Sequence, residues 1–321
     1  MDADLLPYAG KLAALAASII WSCSISLYKA HGHGVPAQVL NLNKLLVALI
    51  GFSLIVGTLN FLAWQGMLQG SYAFPKSWEK TGWLMASGVI GLTLGDTFFF
   101  ASIRYLGAAL TAALQCLTPP LNALIDWIYL GKSMNNLQVL GMVVIVVAVA
   151  GVILAAAPQK SGEKVTRRWL YGLGTSIASA ICTAGSYALT GEMLKNESIF
   201  PCVLLRVIPA FLVLALITGT STTGRQGMVM LWSQPRKLGY LILAAFLGTI
   251  IGISLQAYAF QLVDTGIVST LSTTYPIFVI PVAAYFLKEH PTPMQIVWTF
   301  LAIIGIALLT LPASVWSGWL T

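Results

Sequence analysis

The chain is 321 residues long, 58% hydrophobic and only 8% charged, where soluble domains run at about 45–50% and about 25%. That composition excludes a soluble globular domain and predicts an all-α integral membrane protein. The formal charge of +7 comes from 17 basic residues scattered singly over short connections, so there is no basic face to hold nucleic acid.

A helix needs about 20 predominantly apolar residues to cross about 30 Å of hydrocarbon. Such segments predict ten transmembrane helices, near 11–30, 38–60, 82–104, 107–130, 137–157, 170–191, 199–218, 238–262, 265–287 and 293–313. Lys11 and Lys29 bracket the first, which reads as an ordinary span rather than a cleavable leader. Trp21 lies inside it, and Lys44 lies inside the second. After a connection at 61–81 the third carries "GLTLGDTFFFASIRYLG", Gly91 to Gly107. An ionised carboxylate such as Asp96 costs roughly 2.5–3.5 kcal/mol at the middle of a membrane helix, so it needs a partner or a water-filled path.

On the fourth helix Thr111, Gln115, Thr118, Asn122 and Asp126 fall within an arc of about 80°, a polar stripe that predicts a cavity lining. Thr175, Ser179, Cys182, Ser186 and Thr190 make a matching stripe on the sixth helix, for which hydrogen-bonded helix packing is an equal alternative. The seventh helix carries Arg206. The stretch 219–237, with "TSTTGRQG", reads as a connection. Tyr258 lies in the eighth helix, and Ser272 and Tyr275 in the ninth. Pro119, Pro120, Pro276 and Pro281 interrupt the fourth and ninth helices; the backbone groups they free must line a cavity or mark simple kinks.

The chain repeats itself. A slide of 157 residues places Gly91 and Gly95 on Gly248 and Gly252, Leu114 on Leu271, Pro119 on Pro276 and Gln138 on Gln295. A slide of 162 places Ser24 on Ser186, Leu42 on Leu204 and Lys44 on Arg206. The ten helices are therefore expected as two five-helix repeats, residues 1–158 and 159–321. Because five is odd, the second enters the membrane inverted, the arrangement from which many secondary transporters are built. The glycine pairs form G-x-x-x-G steps in both repeats, which allow close backbone approach.

The cations Lys44 and Arg206 are duplicated by this alignment, whereas Asp96 falls on Ile253 and Asp126 on Ala283. Duplication suits an architectural cation. An unduplicated anion suits a site on one repeat, contacting a cationic substrate group or taking up a proton; the alternatives are a static salt bridge with Lys44 for Asp96 and an interfacial place for Asp126. Cys23, Cys116, Cys182 and Cys202 all fall in apolar segments and read as small core residues. Trp64, Trp78, Trp83, Trp127, Trp316 and Trp319 lie near span ends as an interfacial belt. His31 and His33 of "HGHG" have no carboxylate or cysteine beside them and do not read as a metal site; no metal or other cofactor is expected.

"IIWSCSISLYK", Ile19 to Lys29, resembles the first-helix pattern of EamA-type domains in the drug/metabolite transporter superfamily, with Trp21 and Lys29 at the family's tryptophan and lysine. Arg206, and less faithfully Lys44, stand where that family has its second-helix arginine. "LTPPLNALIDWIYLGKSMNNLQVLG" and "TYPIFVIPVAAYFLKEHPTPMQIVW" are similar to its proline-containing fourth helix, Gly-Glu step and fifth helix. Ser22 replaces the glycine after the tryptophan, and Lys132 replaces the acidic residue that Glu289 keeps. The resemblance implies a multi-pass transporter of the cell (inner) membrane that exports or exchanges small metabolites, amino acids or drugs, with termini in the cytoplasm. Basic residues argue the opposite orientation: apart from Lys44 and Arg206, five lie on the terminal side and ten on the other.

The expected function is that of a secondary carrier that exports a small metabolite, an amino acid or related solute among the candidates, by alternating access, with or without proton coupling. The candidate substrate pathway is Trp21, Lys44, Asp96, Gln115, Asn122, Asp126, Arg206, Tyr258, Ser272 and Tyr275. No paired His and carboxylate, H-E-x-x-H or nucleophile motif supports an enzyme; a channel or non-transporting scaffold is the alternative. Substrate identity, coupling ion and oligomeric state are not legible in the residues.

Overall fold

The computed structural model describes residues 6–68, 72–131, 134–157, 166–194, 197–263 and 265–310. Among these, every regular element is helical. Lys132, Lys160, Lys164, Lys195, Trp316 and Trp319 lie outside the described residues.

The first helix, α1 (Leu6–His31), and the second, α2 (Ala37–Trp64), run unbroken. The third is composite: α3 (Trp78–Gly88), a π-helical segment Val89–Gly95, then α4 (Asp96–Leu106). The fourth is α5 (Ala108–Leu114), a tight turn Gln115–Leu117, and α6 (Thr118–Leu130), whose first turn holds Pro119 and Pro120. The fifth is α7 (Asn136–Ala156), opened by a capping box between Asn135 and Gln138. Next come α8 (Arg167–Met193) and α9 (Ile199–Thr220). The eighth repeats the pattern of the third, with α11 (Pro235–Ala245), a π-helical segment Phe246–Ile253 and α12 (Ser254–Leu262). The ninth repeats that of the fourth, α13 (Thr265–Ser272) and α14 (Pro276–Phe286) flanking a break at 273–275. The tenth is α15 (Pro293–Thr310).

Between α9 and α11, where the sequence reads as a connection, stands α10 (Thr222–Trp232). Ser221 caps it by accepting the Gly224 N–H, and its buried Leu231 and Gly227 pack inward, the glycine against Pro36 and Val39. The glycines of "TSTTGRQG", Gly224 and Gly227, therefore serve close packing within a helix.

Among the described residues seven stretches are long and apolar enough to cross a membrane: Tyr8–His31, Ala37–Trp64, Trp78–Leu106, Ala108–Tyr129, Asn136–Ala156, Ile199–Thr220 and Pro235–Leu262; Thr270–Phe286 and Pro293–Leu309 are shorter apolar helices. The expected ten is not reached by this measure, and the reasons are local. The sixth helix, α8, is long but too polar, the ninth is broken before Pro276, and the described part of the tenth stops at Thr310.

Packing pairs each half with the other. The π segment of the third helix and its flanks pack on α8, and those of the eighth on α1; α2 packs on α9 and α7 on α15. The contacts run antiparallel. Gly91 faces Ser186 and Gly95 faces Cys182, just as Gly248 faces Ser24 and Gly252 faces Trp21. Ser186 donates to the Ser87 carbonyl at 2.9 Å and Ser24 to the Ala244 carbonyl at 2.8 Å, the same bond made twice. The G-x-x-x-G steps are thus packing elements, because Cβ atoms at Gly91, Gly248 and Gly252 would strike the partner helix and one at Gly95 would crowd it. Along α7 and α15 the same antiparallel sense appears: Gly141 approaches Leu309 and Gly305, while Gly151 approaches Trp298.

Outward faces carry the membrane signature. Trp64, Trp78, Trp83 and Trp127 are exposed near helix ends, as an aromatic belt requires. Cys116 and Cys202 are buried as expected, but Cys23 is exposed; in lipid an outward thiol on an apolar face carries little cost.

Candidate functional site

The helices converge on a cavity of about 150 Å³. Trp21, Ser24, Ile25 and Tyr28, spaced i, i+3, i+4 and i+7, give it one wall from α1. Lys44 enters from α2, Asp96, Phe99 and Phe100 from α4, Ser179, Thr183, Ser186 and Tyr187 from α8, and Arg206 from α9. Gly91 and Leu92, and Gly248, Thr249 and Ile253, bring both π segments to its edge. The two helix breaks contribute Gln115 and Thr118, and Ser272, Thr273 and Tyr275.

The breaks are tied to the long polar helices. Gln115 donates to the Ser176 carbonyl at 3.2 Å, and Ser22 donates to the Tyr275 carbonyl at 3.0 Å. Backbone polar groups inside a membrane must be satisfied by such internal partners. At the first π segment Asn41 donates to the carbonyls of Leu92 (2.8 Å) and Thr93 (3.2 Å) and to the Thr97 hydroxyl (2.9 Å). Wide π turns leave carbonyls that a neighbouring amide can bind, and their recurrence at functional sites is general.

Asp96 is ion-paired with Lys44, and their side chains are 28% and 11% exposed. The carboxylate lines the cavity and is salt-bridged there, so the two alternatives drawn for it in sequence coexist in its geometry. Arg206 is buried and donates from Nε to the Ser87 hydroxyl and from a terminal nitrogen to the Ser186 hydroxyl, each at 3.0 Å.

Of the ten candidate residues the structure brings Trp21, Lys44, Asp96, Gln115, Arg206, Ser272 and Tyr275 to the cavity, and leaves Asn122, Asp126 and Tyr258 off its wall. Asn122 is buried in α6 and Asp126 half-buried farther along it. The reason is the turn at Gln115–Leu117 with the prolines after it, which ends the uniform 100° step on which the stripe was drawn. Tyr258 is 37% exposed, because it follows a π segment that shifts the helical phase of everything after it. Residues not singled out in sequence as pathway groups include Tyr28, Thr249, Gln256 and Tyr187. The α1 spacing and the place of Tyr187 beside a repeat-matched serine were available signals; Thr249 and Gln256 had none.

Outside the cavity, Glu289 ties three segments together. Its carboxylate accepts the N–H groups of Ala108 and Ala109 at 2.9 and 3.0 Å and lies 3.4 Å from the Lys29 ammonium. Gly107, at φ 90°, makes room: a Cβ there would sit 2.8 Å from the carboxylate. His31 stacks on Tyr240 at 4.0 Å, which accounts for one histidine of "HGHG", and among the described residues no cluster suits a metal ion.

No curated protein matches the chain. A crystal structure of a protein 14% identical in sequence superposes with a TM-score of 0.60, covering 94% of this chain and 95% of the other; at that identity the likeness is one of fold. The sequence model of the EamA-like transporter family matches residues 8–154 and again 170–311. The chain belongs to the EamA-like transporter family, whose members are membrane transporters of small solutes and not enzymes.

Proposed function

We propose that this protein is a secondary transporter that moves a small metabolite, an amino acid or related solute among the candidates, by alternating access through the central cavity, with export across the cell (inner) membrane as its direction. The two halves, 1–158 and 159–321, act as inverted five-helix repeats. The observation that carries this reading is the origin of the cavity wall: matching π segments and matching broken helices from both halves meet there. Discontinuous helices at a repeat interface are where such carriers bind their solutes, and rocking one half against the other opens the same site to either side. We assign proton coupling to Asp96, which lines the cavity beside Lys44.

Reconstitution in liposomes tests this. Saturable uptake accelerated by unlabelled solute inside, measured over a panel of amino acids, organic acids and amphiphilic amines, is expected of a carrier. Flux that is linear in concentration and indifferent to internal solute would identify a channel instead. The Asp96→Asn protein should lose the response to an imposed pH gradient, while Asp126→Asn, off the cavity wall, keeps it. An unaltered response in Asp96→Asn removes proton coupling through this group.

A further inference from the structure

The cavity wall carries two cations and one carboxylate among the described residues, and that carboxylate is already held by Lys44. Arg206 has only the neutral hydroxyls of Ser87 and Ser186 as side-chain partners, and no carboxylate lies within ion-pair distance of it among the described residues. A buried guanidinium with no ion-pair partner at contact distance is costly, and its planar fork matches a carboxylate. Three residues of the same wall, Tyr28, Thr249 and Ser272, have buried hydroxyls with no partner among the described residues. Hydroxyls donate readily to an anion. Aromatic side chains make up much of the remaining surface: Trp21, Tyr28, Phe99, Phe100, Tyr187 and Tyr275.

We propose that the transported solute is a small organic monoanion whose carboxylate docks on Arg206 and whose apolar or aromatic body lies against this aromatic wall. The inference rests on the transport reading of the same cavity and names its substrate class. One uncompensated positive charge suits a monocarboxylate better than a phosphate monoester, which carries about −1.5 to −2 at neutral pH. An amine finds no free acceptor charge, since Asp96 is paired. The expectation that Asp96 meets a cationic substrate group thereby gives way to an anion at Arg206.

The test needs no knowledge of the solute. With the four native cysteines replaced by alanine, Thr183→Cys, on a half-buried part of the cavity wall, reports on the cavity through its reaction with anionic methanethiosulfonate-ethylsulfonate and cationic methanethiosulfonate-ethylammonium. Each rate is normalised to the same reagent's rate with a free thiol in solution. The normalised anion-to-cation ratio should exceed one by roughly tenfold or more, stay high in Arg206→Lys and fall toward one in Arg206→Gln. A ratio at or below one in the protein retaining Arg206 overturns the inference by itself, whether or not Arg206→Gln folds, and leaves the carrier reading standing. Failure of both reagents in a protein that melts like its parent would show a cavity closed to water and overturn the carrier reading as well.

Discussion

A single atom decides how closely the third helix approaches the seventh. At Gly88 a Cβ would lie 2.7 Å from the carbonyl carbon and 2.8 Å from the Cα of Arg206, and backbone cannot move aside as a flexible side chain can. Gly88→Ala should therefore destabilise the protein by about 1–3 kcal/mol through overpacking and displace Arg206 from the cavity wall. Gly57, on the exposed face of α2, has nothing within 4 Å of its Cβ position, so Gly57→Ala should be neutral or stabilising by about 0.5–1 kcal/mol. Thermal melting in detergent compares the two. Equal melting temperatures would mean that α3 and α9 do not approach as closely as described. The Lys44–Asp96 pair is governed by the same scale. The carboxylate in the third helix was visible as an anomaly of composition in a run otherwise fit for lipid, and Lys44, 52 residues away, was the partner named for a static salt bridge.

Elements are held at their ends as much as along their faces. The N-terminus of α5 is reached by a carboxylate from the far half of the chain: Glu289 satisfies two N–H groups that an isolated helix leaves open, adds a favourable charge at the positive helix end, and pairs with Lys29 from α1. Glu289→Ala should cost about 1–2 kcal/mol, while Glu289→Gln, which retains an acceptor, should cost less. Unfolding followed by intrinsic fluorescence measures both; an alanine variant as stable as the parent would show that water replaces the cap at no cost. The resemblance to the family's Gly-Glu step pointed to this residue, but the segments it joins lie about 180 positions apart and no local pattern could name them.

At the scale of the whole molecule the two halves touch through antiparallel pairs, and one of these pairs can be locked. A Cβ at Gly95 would lie 3.3 Å from the Cβ of Cys182, close to the 3.5–4.5 Å usual in disulfides. Gly95→Cys should therefore cross-link to native Cys182 under mild oxidation, joining the third helix of one half to the sixth of the other. If the halves rock against each other during transport, the oxidised protein should lose exchange almost completely and regain it on reduction. Exchange that survives complete cross-linking would show that the third and sixth helices move as one body.

The membrane class, the matched glycine and proline steps of the two halves and the candidate cations and carboxylates follow from composition, span length and spacing, because lipid imposes the same demand on every residue of a span and leaves exceptions conspicuous. Lys44 and Arg206 were legible in this way, as duplicated cations in apolar runs. The cavity was not. Its wall depends on helical phase, and phase is reset by two helix breaks and two π segments that no stripe drawn at a uniform 100° contains. Asn122 and Asp126 shared an ideal face with Gln115 and lost it at the turn before Pro119; Tyr258 lost its place after Phe246–Ile253. Partner choice also belonged to the folded chain, since Asp96 meets Lys44 and Arg206 meets Ser186 across neighbouring helices whose phase the packing sets, and Arg206 meets Ser87 across helices 119 residues apart.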